Sequence, residues 1–213
     1  MKDLIDELHA VRRAVGDGTL PAGAARTITL ARTYPAAIED VWSALTEPER
    51  IERWLLPVTG DLRLGGTYQL EGNAGGEIRV CEPPRRLQVT WNFGEPPGPE
   101  DSSLVDVRLQ PDGEGTLLEL EHVAVVPPDM WDQFGPGAVG VGWDLSLIGL
   151  AKHLAGEELG EHVEVEQDPA MRDCMAASAE AWGEAHRAAG ADPETVTSTV
   201  AATTAFYVPP PGG

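Results

Sequence analysis

The chain has 213 residues, 15 of them Lys or Arg and 35 Asp or Glu, for a formal charge of −20. So acidic a chain repels phosphate backbones and anionic lipid surfaces, which argues against nucleic acid and membrane as partners. With 42% apolar residues it holds material for a real core, and its 24 Gly and 18 Pro stay below the share that marks a disordered chain.

Asp3, Asp6 and Glu7 stand where a signal peptide needs an apolar run. The longest weakly polar stretch, 138–151, is too short for a bilayer span and is broken by Asp144. Cys81 and Cys174 lie far apart with no Cys-x-x-Cys, so two free thiols in a reducing cytoplasm are expected. Charge divides the chain into residues 1–25, 26–155 and 156–213. The last segment carries 2 bases and 11 acids and reads as an acidic helical extension.

In chain order, Leu4, Ile5, Leu8, Val11 and Val15 recur at helical spacing and predict a helix over 3–15. Gly16-Asp17-Gly18 stops it, and Pro21-Ala22-Gly23 reads as a linker. Residues 27–34 alternate as a strand that Pro35 ends. Ile38, Val41, Trp42 and Leu45 share one face of a helix over 37–45. Thr46-Glu47-Pro48-Glu49 has the form of a capping box and predicts a second helix from 47 to about 55, with Ile51, Trp54 and Leu55 inward.

Short alternating runs follow between turn residues: Leu62 and Leu64, Tyr68 and Leu70, Ile78 and Val80, Leu87 to Trp91, Val105 to Leu109, and Leu118 to His122. Hairpin-length spacers and one polar face per strand predict an antiparallel meander. Pro96-Pro97-Gly98-Pro99 marks a loop, and Asp112-Gly113 a tight turn. After Gly135-Pro136-Gly137, Val139, Trp143, Leu147, Leu150 and Leu154 form the core-facing stripe of a long helix over about 138–155. Two tail helices are expected, over 169–189 behind Asp168-Pro169 and from Asp192-Pro193 to about 206, with a disordered end from Pro209.

This is an α+β plan of about seven antiparallel strands, two short helices after the first strand and a long late helix. A curved sheet wrapped around one helix leaves a cavity between them, which is the natural ligand site.

Several motifs carry a resemblance. Tyr34-Pro35 is followed by Val41 to Glu49. Then come Ile51-Glu52-Arg53-Trp54, Gly65-Gly66-Thr67-Tyr68, Glu82 to Leu87 with Val89-Thr90-Trp91, and Gly142-Trp143. Over about 26–155 these resemble the SRPBCC superfamily, also called START-like or helix-grip. Within it they are similar to the group of the C-terminal domain of the activator of the heat-shock-protein-90 ATPase. The resemblance implies the helix-grip fold. It does not imply one activity, because the fold carries binders, cyclases and co-chaperone modules. The Asn- and Trp-rich motif that the eukaryotic activator carries in a separate N-terminal domain has no counterpart in residues 1–25.

The inward phase points Trp54, Tyr68, Trp91 and Trp143 into the space between sheet and long helix, as pocket walls or as plain core. His122 shares that phase, as a polar pocket group or a buried hydrogen-bonded histidine. Asp144 reads as a cap near the helix start. The five histidines form no ligating pattern, so neither metal nor cofactor is expected, and no catalytic motif stands out. The expected function is binding of a hydrophobic or aromatic small molecule. The alternatives are a cyclase or aromatase-like enzyme using His122 and Tyr68, or a chaperone-related interaction module. The apolar face of Met171, Met175 and Trp182 needs a cover, either within the chain or from a second copy in a homodimer.

Overall fold

Eight strands pair in the order β1-β2-β8-β7-β6-β5-β4-β3, each antiparallel to its neighbours. In this computed structural model, which describes residues 3–93, 102–157 and 168–209, the strands are β1 (Arg12–Leu20), β2 (Gly23–Tyr34), β3 (Val58–Gly60), β4 (Thr67–Leu70), β5 (Gly75–Glu82), β6 (Arg86–Thr90), β7 (Ser103–Asp112) and β8 (Gly115–Ala124). The helices are α1 (Leu4–His9), α2 (Ile38–Thr46), α3 (Pro48–Ile51), α4 (Pro128–Phe134), α5 (Gly137–Leu154), α6 (Pro169–Ala188) and α7 (Pro193–Tyr207).

Period-two burial sets one face of the curved sheet. Ile28 and Leu30, Val105, Val107 and Leu109, and Leu118 and Leu120 are all buried, while Glu119 and Glu121 point to solvent. The register places His122 opposite both Ile28 and Val105, in the same inward row. Gly113, at φ 60, supplies the left-handed residue that the tight β7–β8 turn requires. α5 crosses the inward face, giving the α+β helix-grip arrangement.

The helix expected over 3–15 ends at His9, and Arg12–Leu20 is an edge strand instead. Val11 and Val15 are four apart, a spacing that places two residues on one face of a helix and of a strand alike. Nine consecutive residues of β1 pair with β2, and that ladder outweighs the turn tendency of Gly16-Asp17-Gly18. β1 is the reason for eight strands rather than about seven.

The expected capping box does not form. Thr46 is the last residue of α2, and its hydroxyl donates back to the Trp42 carbonyl at 2.8 Å. Glu47 is the N-cap, Pro48 opens the short α3, and that helix stops at Ile51 rather than near 55. Leu62 and Leu64 are not a strand. Arg63 N–H donates to Asp61 and Gly66 N–H to Arg63, folding the segment into tight turns, and β3 lies earlier. α4 was not expected, because its seven residues, which begin at Pro128, show too little periodicity.

α5 is buried on two sides. Trp143, Leu147 and Leu150 face the sheet, whereas Val139 of the predicted stripe is exposed. The second side, Gly140, Asp144 and Ile148, lies toward α6 and α1. A Cβ at Gly140 would sit 2.2 Å from the Trp182 ring, so only glycine admits this packing. Met175, Ala179 and Trp182 of α6 thereby join the central core, and the chain itself covers the α6 apolar face. α7 packs in turn on α6 and α4.

Among the described residues no single helix is long and apolar enough to cross a membrane. The proline-rich loop at 96–99, most of the acidic run 157–168 with His162, and the terminal 210–213 lie outside the described residues.

Candidate functional site

Between the inward sheet face and α5 lies an apolar cavity of about 150 Å³. Its floor is β-sheet: Leu70, Ile78, Val89, Val105, Val107, Leu118 and Leu120. Its roof is Trp143, Ser146 and Leu147 of α5, and its side is Leu45, Ile51, Trp54 and Leu55 from the α2–α3 region. Four of the five residues singled out from the sequence, Trp54, Tyr68, Trp91 and Trp143, line it. Period two accounts for Tyr68 and Trp91, and the helical stripe for Trp143.

The aromatic rings form a connected wall. Trp91 and Trp143 have centroids 4.8 Å apart at 47°, and Tyr68 lies 6.2 Å from Trp91. On its other side Trp91 meets the edge of Phe93 at 6.4 Å, and Phe93 is exposed. The wall therefore runs from solvent at Phe93, through half-buried Trp91, to buried Tyr68 and Trp143.

Polar groups in the wall are turned toward the protein. Trp54 N–H donates to the Ala44 carbonyl at 3.0 Å, and the Tyr68 hydroxyl to the Thr90 carbonyl at 2.8 Å. The Ser146 hydroxyl donates to the Gly142 carbonyl at 2.8 Å. Burial pushes the Tyr68 phenol well above its ordinary value of 10.0, so it stays protonated.

His122 is not part of the cavity wall; it stands behind Trp143. The Trp143 indole donates to Nδ1 at 3.0 Å, and Nε2 lies 2.8 Å from the Ser103 hydroxyl. Because an indole N–H only donates, Nδ1 carries the lone pair, and the proton of the neutral ring sits on Nε2 facing Ser103. Burial lowers the ring from the ordinary 6.5 to about 4. His122 is thus a neutral, fully bonded group that orients Trp143, and it lies out of reach of a ligand as acid or base.

Asp144 is not a helix cap. It is wholly buried in mid-helix. Arg13 Nε contacts its two oxygens at 3.1 and 3.0 Å, and Arg13 Nη2 reaches Oδ1 at 2.9 Å. Ser178 Oγ donates to Oδ2 at 2.5 Å and Trp182 Nε1 at 3.0 Å. Burial pushes this carboxyl up from its ordinary value, while Arg13, Ser178 and Trp182 hold the charged form. The sequence offered one signal, a lone acid inside an apolar helix, but not its partners in β1 and α6. A second buried pair, Arg32–Glu7 at 2.5 Å, ties β2 to α1, with the guanidinium 4.6 Å over Tyr34.

Among the described residues no group of His, Cys, Asp and Glu is placed to hold a metal ion. Arg50 Nε donates to His153 Nε2 at 3.2 Å. Arg86 pairs with Asp106 across the β6–β7 ladder at 2.6 Å.

The family described as activator of Hsp90 ATPase homolog 1-like protein matches residues 35–155, just over half the chain. The chain belongs to this family. CalU16 from Micromonospora echinospora is similar to this chain in two structures. The crystal structure shows 39% identity and TM-score 0.66, covering 84% of this chain and 99% of CalU16. The solution structure shows 40% and 0.69, covering 85% and 97%. That coverage exceeds the family segment, so the likeness to CalU16 reaches into the flanking elements. MLL2253 from Mesorhizobium loti is 25% identical with TM-score 0.52, over 63% of this chain and 100% of its own. The Aha1 dimer from Colwellia psychrerythraea, at 16% identity and TM-score 0.50 over 60% of this chain and 95% of its own, shares the fold alone. Comparison with curated proteins gives no match.

Proposed function

We propose that this protein binds an apolar, aromatic small molecule in the cavity between the sheet and α5. One observation carries the reading: an apolar cavity of about 150 Å³ walled by four aromatic side chains and continuous with an exposed aromatic edge. An apolar cavity of this size holds about one aromatic ring. Burial supplies the affinity: a ligand that loses ~200 Å² of apolar surface gains about 5 kcal/mol before the costs of association. No carboxylate, imidazole or amine lines the cavity among the described residues, and both nitrogens of His122 are engaged behind Trp143, so the reading is a binder rather than a cyclase. The two free thiols support a cytoplasmic setting. A homodimer would use a surface other than the α6 face, which the chain covers itself.

The test is titration of the protein with ethylbenzene by calorimetry, beside the cavity-filling variant Val107→Phe. Binding by the unmutated protein that disappears in a folded Val107→Phe supports the reading. Binding left intact by that substitution, or none at all, defeats it.

A further inference from the structure

The hydrogen bonds of the cavity wall say which ligand it takes. Six residues with side-chain N–H or O–H donors line it, Thr46, Trp54, Tyr68, Trp91, Trp143 and Ser146, beside the weakly donating thiol of Cys81. Five are engaged by the protein's own acceptors, Thr46 with Trp42, Trp54 with Ala44, Tyr68 with Thr90, Trp143 with His122 and Ser146 with Gly142. The Trp91 indole N–H is the sixth, and it has no acceptor among the described residues. It is also not sealed in the core: Trp91 is half-buried, between the cavity and exposed Phe93. Among the described residues no Lys, Arg, His, Asp or Glu lines the cavity, and the chain carries −20.

Two consequences follow. A carboxylate or phosphate moved into this space loses its hydration with no cation among the described residues and only the Trp91 N–H and the weak Cys81 thiol to replace it, which is strongly unfavourable. A neutral acceptor, by contrast, needs only one donor. We infer that the cavity selects an uncharged aromatic ligand carrying a carbonyl-type acceptor, and that the Trp91 N–H is the group that reads it. The ring lies against Tyr68 and Trp143, and the carbonyl sits at the half-buried end beside Trp91. Trp91 is then the specificity-determining side chain of the cavity. This rests on the binding function proposed above.

Three ligands of nearly equal shape separate the possibilities: ethylbenzene, acetophenone and benzoate, each titrated calorimetrically into the full chain and into Trp91→Phe. Phenylalanine keeps the aromatic wall and removes the donor. The ratio of acetophenone to ethylbenzene affinity should fall about 2- to 10-fold in Trp91→Phe, the value of one neutral hydrogen bond. Benzoate should bind the unmutated protein at least about tenfold more weakly than acetophenone. An unchanged ratio, or benzoate equal to acetophenone, overturns the inference while ethylbenzene binding leaves the proposed function standing. Failure of ethylbenzene itself to bind overturns the proposed function and this inference with it. Should Trp91→Phe not fold, the ¹⁵N-labelled indole resonance of Trp91 decides: a downfield N–H shift with acetophenone but not ethylbenzene supports the assignment, and equal shifts refute it.

Discussion

His122 gives the most quantitative prediction. Its ring is buried and neutral, with a value lowered by burial to about 4 against 6.5 in the unfolded chain. The unfolded state therefore binds the extra proton across that interval, and stability falls as pH is lowered through it. At one pKa unit per 1.36 kcal/mol, the loss works out to about 2 kcal/mol near pH 5 and about 3 kcal/mol near pH 4, relative to neutral pH. Above 6.5 both states are neutral and the effect vanishes. Replacing His122 by Gln keeps an acceptor for the Trp143 N–H and a donor toward Ser103, but removes the proton site. Urea unfolding of both proteins at about pH 7.5 and about pH 5 isolates the histidine, because every other titrating group is common to the two. The unmutated protein should lose about 2 kcal/mol more than His122→Gln over that step. Parallel losses in the two proteins would refute the claim that His122 is held neutral behind Trp143.

Asp144→Asn should destabilise the protein by about 3–5 kcal/mol, because the Arg13 guanidinium stays buried without its counter-charge; denaturant unfolding at neutral pH measures this. Gly140→Ala should cost about 1–3 kcal/mol of overpacking against Trp182, more than the better helix propensity of alanine returns, and should shift the tryptophan emission of the folded protein.

The fold was largely legible because its signals are local. Strict alternation in β8 sends Glu119 and Glu121 to solvent and leaves Leu118, Leu120 and His122 in one inward row, as their spacing predicts. The same parity placed Tyr68 and Trp91 on the cavity wall, and the stripe of α5 placed Trp143 there. What was not legible depends on partners distant in sequence. Val11 and Val15 fit two periodicities, and only the β2 ladder chooses between them. Asp144 meets Arg13 from 131 residues away and Trp182 from 38, so its neighbours leave no local trace. His122 was placed on the right face, but its removal from the cavity depends on how Trp143 turns its N–H, which spacing does not encode. Which cavity donors are already bonded is unreadable from sequence for the same reason: the acceptors of Trp54 and Tyr68 are main-chain carbonyls.

The Asp144 cluster has a practical consequence for anyone excising a minimal fragment. A piece trimmed to the family match at 35–155 keeps the aspartate but discards Arg13, Ser178 and Trp182. It also discards β2, so β8 becomes a bare edge open to intermolecular pairing. Such a fragment would bare the side of α5 that α1 and α6 cover, Asp144 and Ile148 included, and aggregate through its new edge. The stretch that records kinship is thus shorter than the stretch that folds, and expression boundaries belong outside Arg12 and beyond Trp182.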